Sequence, residues 1–234
     1  MTVMNSRCAK GSCALVSDII RNLKKDLVIE FRTRVSFAIS LAFAAISTIA
    51  ISLVSGGAPF TDLVYSVLFW LILFFSAMNG LAHVFTREEE EGTSLFLMLN
   101  SGSDSIFLGK LVFNAVFFLI LETVIAPLYL FFLQVVPASP GHFIAVAVAG
   151  GLAVSSSTTL LGAMVARAGG KGALFTIISF PVLLPVIWVS IAETAGSLSE
   201  GGAMSRGNVV FLLAFSALVV AISLVLFRAV WETE

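Results

Sequence analysis

Across residues 111–166 a single side chain carries a formal charge, Glu122. A carboxyl group so deep in an apolar run is costly to keep in hydrocarbon, and intramembrane acids of this kind usually face a protein interior and mark a functional site. Two chemistries fit it, a proton relay and a hydrogen bond from helix to helix. His83 and His142 are the only histidines, and two imidazoles raise the thought of bis-histidine haem ligation. They stand at opposite ends of long apolar stretches, about 30 Å apart across a bilayer, so they should not share an iron.

Cys8 and Cys13 form a C-x4-C pair, which matches neither a usual zinc spacing nor the C-x-x-C-H haem attachment signature and reads as reduced cytosolic thiols. No G-x-S-x-G, H-E-x-x-H or paired intramembrane carboxylates occur, which argues against an intramembrane enzyme. The absence of a G-x-x-x-x-G-K-[ST] phosphate loop means that the chain should not hydrolyse ATP alone. No catalytic residue, metal site or directly bound cofactor is expected.

Three prolines stand inside apolar runs: Pro127, and Pro181 with Pro185 four residues on. Each removes a backbone donor and clashes one turn back, so a helix there should kink or break. Discontinuous helices are frequent where transporters move or bind. Ser155, Ser156, Ser157, Thr158 and Thr159, followed by Gly162 and Ala163, give another run a small-residue face suited to close helix packing.

The elements that must position these residues follow from the distribution of charge. The chain has 234 residues, 59% hydrophobic and 12% charged, with a mean hydropathy of +1.06. A soluble domain would carry roughly 25% charged residues. The formal net charge of −1 offers no field for nucleic acid. Uncharged blocks long enough to cross about 30 Å of hydrocarbon place spans at about 35–54, 63–83, 111–135, 142–165, 172–192 and 208–227. None alternates as a strand does, so an all-helical integral membrane protein with six transmembrane helices is expected.

Seven Lys and Arg precede the first span, and of the thirteen in the chain only Arg206 falls on the opposite side. The positive-inside rule therefore puts both ends in the cytoplasm. The polar N-terminal stretch runs to Arg34, too long for the basic region of a signal peptide. The domains are then a cytoplasmic segment, 1–34, and a six-helix membrane domain, 35–228.

Two segments should lie outside the hydrocarbon. Within about 17–33, Ile19, Ile20, Leu23, Leu27 and Phe31 recur at steps of three or four with basic residues on the other faces. Ser17 can cap such a helix, which should lie in the cytoplasmic headgroup layer. Between spans two and three, Arg87 and the acids Glu88, Glu89, Glu90 and Glu91 precede Gly92, Thr93, Ser94 and the apolar run Leu95, Phe96, Leu97, Met98, Leu99. That run is too short to span and needs a surface to bury it. Acids at its start suit a helix N-terminus, and an apolar body suits the groove of a soluble partner.

This loop, with Gly109-Lys110 after it, resembles the E-x-G-T-x-x-x-L-L-x-S-P…GK signature of ABC-2-type permeases. More narrowly the chain is similar to the haem exporter protein B (CcmB) family. That likeness rests on K-K-D-L-V-I-E-F-R-T-R at 24–34, E-T-V-I-A-P-L at 122–128, G-A-M through Arg167, and F-P-V-L-L-P-V at 180–186. It covers most of 20–195. Where the family has Ser-Pro after the coupling run, this chain has Asn100-Ser101-Gly102.

The resemblance implies an ABC permease subunit of the cytoplasmic (inner) membrane. Glu88, Glu91, Gly92, Thr93, Leu95, Leu97 and Leu99 would form its coupling helix on a separate ATPase subunit, which hydrolyses the ATP. Haem would be the cargo for cytochrome c maturation. The implied partners are a second haem-handling membrane protein, a small membrane subunit and, indirectly, a periplasmic haem chaperone; a homodimer is left open. Glu122 falls in the family motif, which favours a structural or gating role, shared with Pro127, Pro181 and Pro185. No Trp-rich haem-binding loop is present, so the main haem holder should be another subunit. The alternatives are an ABC-2-type permease exporting a lipid, drug or polysaccharide, and a secondary transporter using Glu122 as proton carrier. No inverted repeat is evident to support the latter.

Overall fold

The computed structural model describes residues 19–21, 23–25, 27–28, 30, 32, 34–90, 103–167, 172–202 and 205–231, and their side chains except at 79–90, 103–104, 166–167, 172–176 and 227–231. Six long helices follow one another: α1 Val35–Ser55, α2 Asp62–Glu90, α3 Ser103–Leu133, α4 Pro140–Arg167, α5 Gly172–Leu198 and α6 Arg206–Trp231. No strand occurs among the described residues. Five of the helices are long and apolar enough to cross a membrane, within Val35–Ser55, Ser105–Leu133, Pro140–Val165, Ile177–Leu198 and Arg206–Leu226. In α2 the described apolar stretch, Asp62–Met78, is shorter.

The helix α4 is the axis of the fold, packing against α2, α3, α5 and α6, while α1 lies against α2 and α3. The reason is side-chain size. Without a hydrophobic drive between helices in lipid, close backbone approach decides packing, and small residues allow it. Ala149, Gly150, Gly151 and Ala153 are buried, as is the hydroxyl run from Ser155 to Thr159. The hydroxyls of that run turn back onto carbonyls three or four residues earlier, such as Thr159 Oγ1 to Ser155 O at 2.6 Å. They therefore need no partner from a neighbouring helix. Into the small-residue surface fit large side chains from α2 and α3, among them Phe69, Trp70, Leu73, Phe118, Leu121 and Tyr129.

The helix ends follow local chemistry. Thr61 Oγ1 accepts the Val64 amide at 3.4 Å to open α2. Gln134, at φ 53°, closes α3 with bonds from its own amide to Phe131 O and from Val135 N to Leu130 O, a Schellman arrangement with glutamine in place of the usual glycine.

Several boundaries differ from those drawn between charges. The third helix begins at Ser103 rather than near 111, so Lys110 lies inside it and is 2% exposed. The second is described as helix as far as Glu90, so Arg87, Glu88, Glu89 and Glu90 continue the helix of the second apolar stretch. The rest of the segment, from Glu91 through the apolar run Leu95 to Leu99, lies outside the described residues. The fifth extends to Leu198. Both α3 and α5 continue through their prolines, so the break considered for them does not occur. In the N-terminal segment the described residues between Ile19 and Arg32 are helical, and Leu23 and Leu27 pack against the core. Ile20 is 56% exposed and so stands off the buried face to which its spacing assigned it.

Candidate functional site

Glu122 sits on the face of α3 turned toward α4 and is 4% exposed. Its neighbour there is Gly151: a β-carbon on that glycine would stand 2.9 Å from Glu122 Oε2 and 3.0 Å from the Phe118 ring. The carboxyl group occupies space that only a glycine leaves free. Its Oε1 is buried with no hydrogen-bond partner.

Beside it a cleft of about 440 Å³ runs between α3 and the start of α4, lined by Glu122, Thr123, Pro127, Phe143, Ala147 and Val148 among others. Pro127 has no N–H to give the Thr123 carbonyl one turn back. The wall of the cleft therefore pairs an acid with a backbone acceptor that lacks its usual donor. In a membrane such groups require protein, water or a ligand nearby, because hydrocarbon cannot satisfy them. Farther along α3, buried Asn114 donates Nδ2–H to Thr159 Oγ1 at 2.8 Å, while its Oδ1 has no partner.

A second polar centre ties together the facing ends of α4, α5 and α6. His142 Nε2 and Glu193 Oε2 are 2.8 Å apart, both side chains buried. The same carboxylate accepts the Ser205 amide at 3.2 Å and Asn208 Nδ2 at 2.7 Å. The Ser139 amide donates to Ser197 O at 3.0 Å, a backbone clasp beside the pair. One acid thus satisfies donors from two other helices and a loop. Nearby, Trp70 Nε1 donates to Thr194 Oγ1 at 2.9 Å, and Tyr129 Oη donates to Tyr65 O at 2.7 Å. These contacts make that end of the bundle a hydrogen-bonded unit joining five of the six helices, α2 to α6.

Of the residues marked by sequence, Glu122 and Pro127 come together at the cleft. Pro181 and Pro185 do not join them, for both are exposed on the outer side of α5. Glu88 lies within α2, and Glu91, Gly92, Thr93, Leu95, Leu97 and Leu99 fall outside the described residues. Glu193 stands just past the end that charge sets for the fifth span, so its position alone does not mark it as a site residue. Its signal was present: it is the first acid after an uncharged run of 21 residues, at 172–192.

A model described as CcmB protein matches residues 17–231, which takes in all six helices and most of the N-terminal segment. No curated protein matches the sequence.

Proposed function

The chain belongs to the CcmB family, membrane permease components of haem-related ABC transporters, and on that premise we propose that it is the permease subunit handling haem for cytochrome c maturation. The observation that carries this reading is the extent of the match, which includes all six long helices and the connection between α2 and α3. In this reading all six helices cross the inner membrane and both ends face the cytoplasm. The support is the Lys and Arg bias together with the even number of long helices.

The segment at 87–101 then faces the compartment that holds ATP. Its apolar run Leu95 to Leu99 seats on the ATPase subunit, and Glu88, Glu91, Gly92 and Thr93 fix the approach. Work done by the ATPase reaches the bundle through α2 and α3, the helices that this segment joins. Haem is cargo shared with a second haem-handling membrane protein and a small membrane subunit, and it passes onward to a periplasmic haem chaperone.

Glu122 serves as a gating contact in this reading. Any separation of α3 from α4 must lift its carboxyl group off Gly151 and open the cleft beside Pro127. Pro181 and Pro185, on the outer face of α5, act on how that helix meets its surroundings rather than on the cleft.

The test is removal of the gene from its host, with haem-stained holocytochrome c as the readout. Loss of mature c-type cytochromes, restored by the wild-type chain, is expected. Normal cytochromes with a defect in lipid, drug or polysaccharide export would replace this reading with that of another ABC-2-type permease.

A further inference from the structure

Arg34 links the N-terminal helical segment to α1 in the left-handed conformation, φ 53° and ψ 7°. Its amide closes the preceding turn on Glu30 O at 2.6 Å, the geometry of a helix-ending position where glycine is the usual residue. A long cationic side chain at such a place carries backbone strain that glycine would not, and strain of this kind points to a role for the side chain. Arg34 lines a cavity of about 390 Å³ between the segment, α1 and α3. Its walls include Leu27, Phe37, Phe113 and Phe117, with Arg34 and Glu30 as the charged members of the lining. Glu30 Oε1 is engaged by the Phe37 amide at 3.1 Å, in the first turn of α1.

The depth of this cavity is set by the helix. Arg34 immediately precedes α1, which is long and apolar enough to cross a membrane; with α1 spanning, its guanidinium belongs at headgroup level and the Phe37 ring one turn into the acyl region. A guanidinium has five donors and can hold a phosphate oxygen alongside a protein partner. Among the described residues no His, Cys, Met or Tyr lines the cavity, so none of them would ligate haem iron there.

We propose that this cavity holds an anionic phospholipid, its phosphate on Arg34 and one acyl chain along Phe113 and Phe117, seating the N-terminal segment against the bundle. The proposal is independent of the cargo and of the ATPase.

The test uses the full chain, purified in detergent and equilibrated with equal amounts of phosphatidylglycerol and phosphatidylcholine, with retained lipid counted by native mass spectrometry. The wild-type chain retains phosphatidylglycerol about fivefold over phosphatidylcholine, the effect of one well-placed cation at the headgroup layer. Arg34→Gly abolishes that preference while the melting temperature holds or rises, since glycine suits the left-handed position. Ala38→Phe, which fills the cavity from its rim, lowers retention of both lipids. Equal retention of the two lipids by the wild-type chain overturns the proposal. So does an unchanged preference in Arg34→Gly, or displacement of phosphatidylglycerol by equimolar haem. Should Ala38→Phe fail to fold, the wild-type preference and Arg34→Gly decide the matter.

Discussion

Replacing Gly150 by alanine adds one methyl group where α4 packs closely on α2 and α5. That carbon would stand 2.8 Å from Ser190 Oγ on α5 and inside contact distance of Cη2 of Trp70 on α2. Trp70 is 1% exposed, meets Phe69 edge-on at 5.9 Å, and is held at its far side by the bond from Nε1 to Thr194. The indole cannot retreat without losing that bond. Ser190 is fully buried. Overpacking of this kind costs about 1–3 kcal/mol, and loss of the indole bond adds about 1 kcal/mol. Alanine's helix preference over glycine offsets about 1 kcal/mol, and the net destabilisation of about 2 kcal/mol lowers the melting temperature by about 4–8 °C for a chain of this size.

The assay is thermal unfolding of the purified protein in detergent, followed by tryptophan fluorescence. Gly141→Ala is the control, because a β-carbon there meets nothing within 4 Å. It should melt at or slightly above the wild-type temperature. If Gly150→Ala melts with the control, α4 does not approach α2 and α5 as closely as described, and the small-residue account of the core fails.

Other outcomes follow from the two polar centres. Glu193→Ala strips the acceptor from His142, Ser205 and Asn208 at once and should cost about 2–4 kcal/mol, read as a lowered melting temperature. Asn208→Ala removes one of those bonds and should cost about 1 kcal/mol, so equal losses in the two variants would contradict the shared-acceptor reading. Glu122→Gln keeps the shape of the side chain beside Gly151 and should leave the fold and ATPase co-purification intact while holocytochrome c output falls. Wild-type output from that variant would remove Glu122 from the mechanism.

The helices were legible because lipid imposes one rule on every span: about 20 residues without charge. That rule found all six long helices from composition alone. It misplaced their ends for the same reason, since charge served as the boundary and the fold tolerates charge inside a helix end. Lys110 is buried within α3, and Glu193 within α5 satisfies donors that lie 12 and 15 residues away in sequence, on the chain leading into α6 and on α6 itself. Pairings such as His142 with Glu193, or Trp70 with Thr194, depend on which helices meet, and hydropathy carries no information on that. Glu122 was legible as an intramembrane acid, but its lodging against Gly151 needed the packing of α3 on α4. The prolines read as helix breakers because only their local chemistry was visible, whereas the long helices on either side of each continue through them.

The central claim is that this bundle is driven by a separate ATPase through the connection between α2 and α3. The direct measurement is co-purification of the ATPase subunit with the wild-type chain and with a chain lacking Leu95, Phe96, Leu97, Met98 and Leu99. The account predicts that the wild-type chain retains the ATPase, and that the deletion variant loses it while still inserting in the membrane at normal level. ATPase association unchanged by the deletion would contradict it.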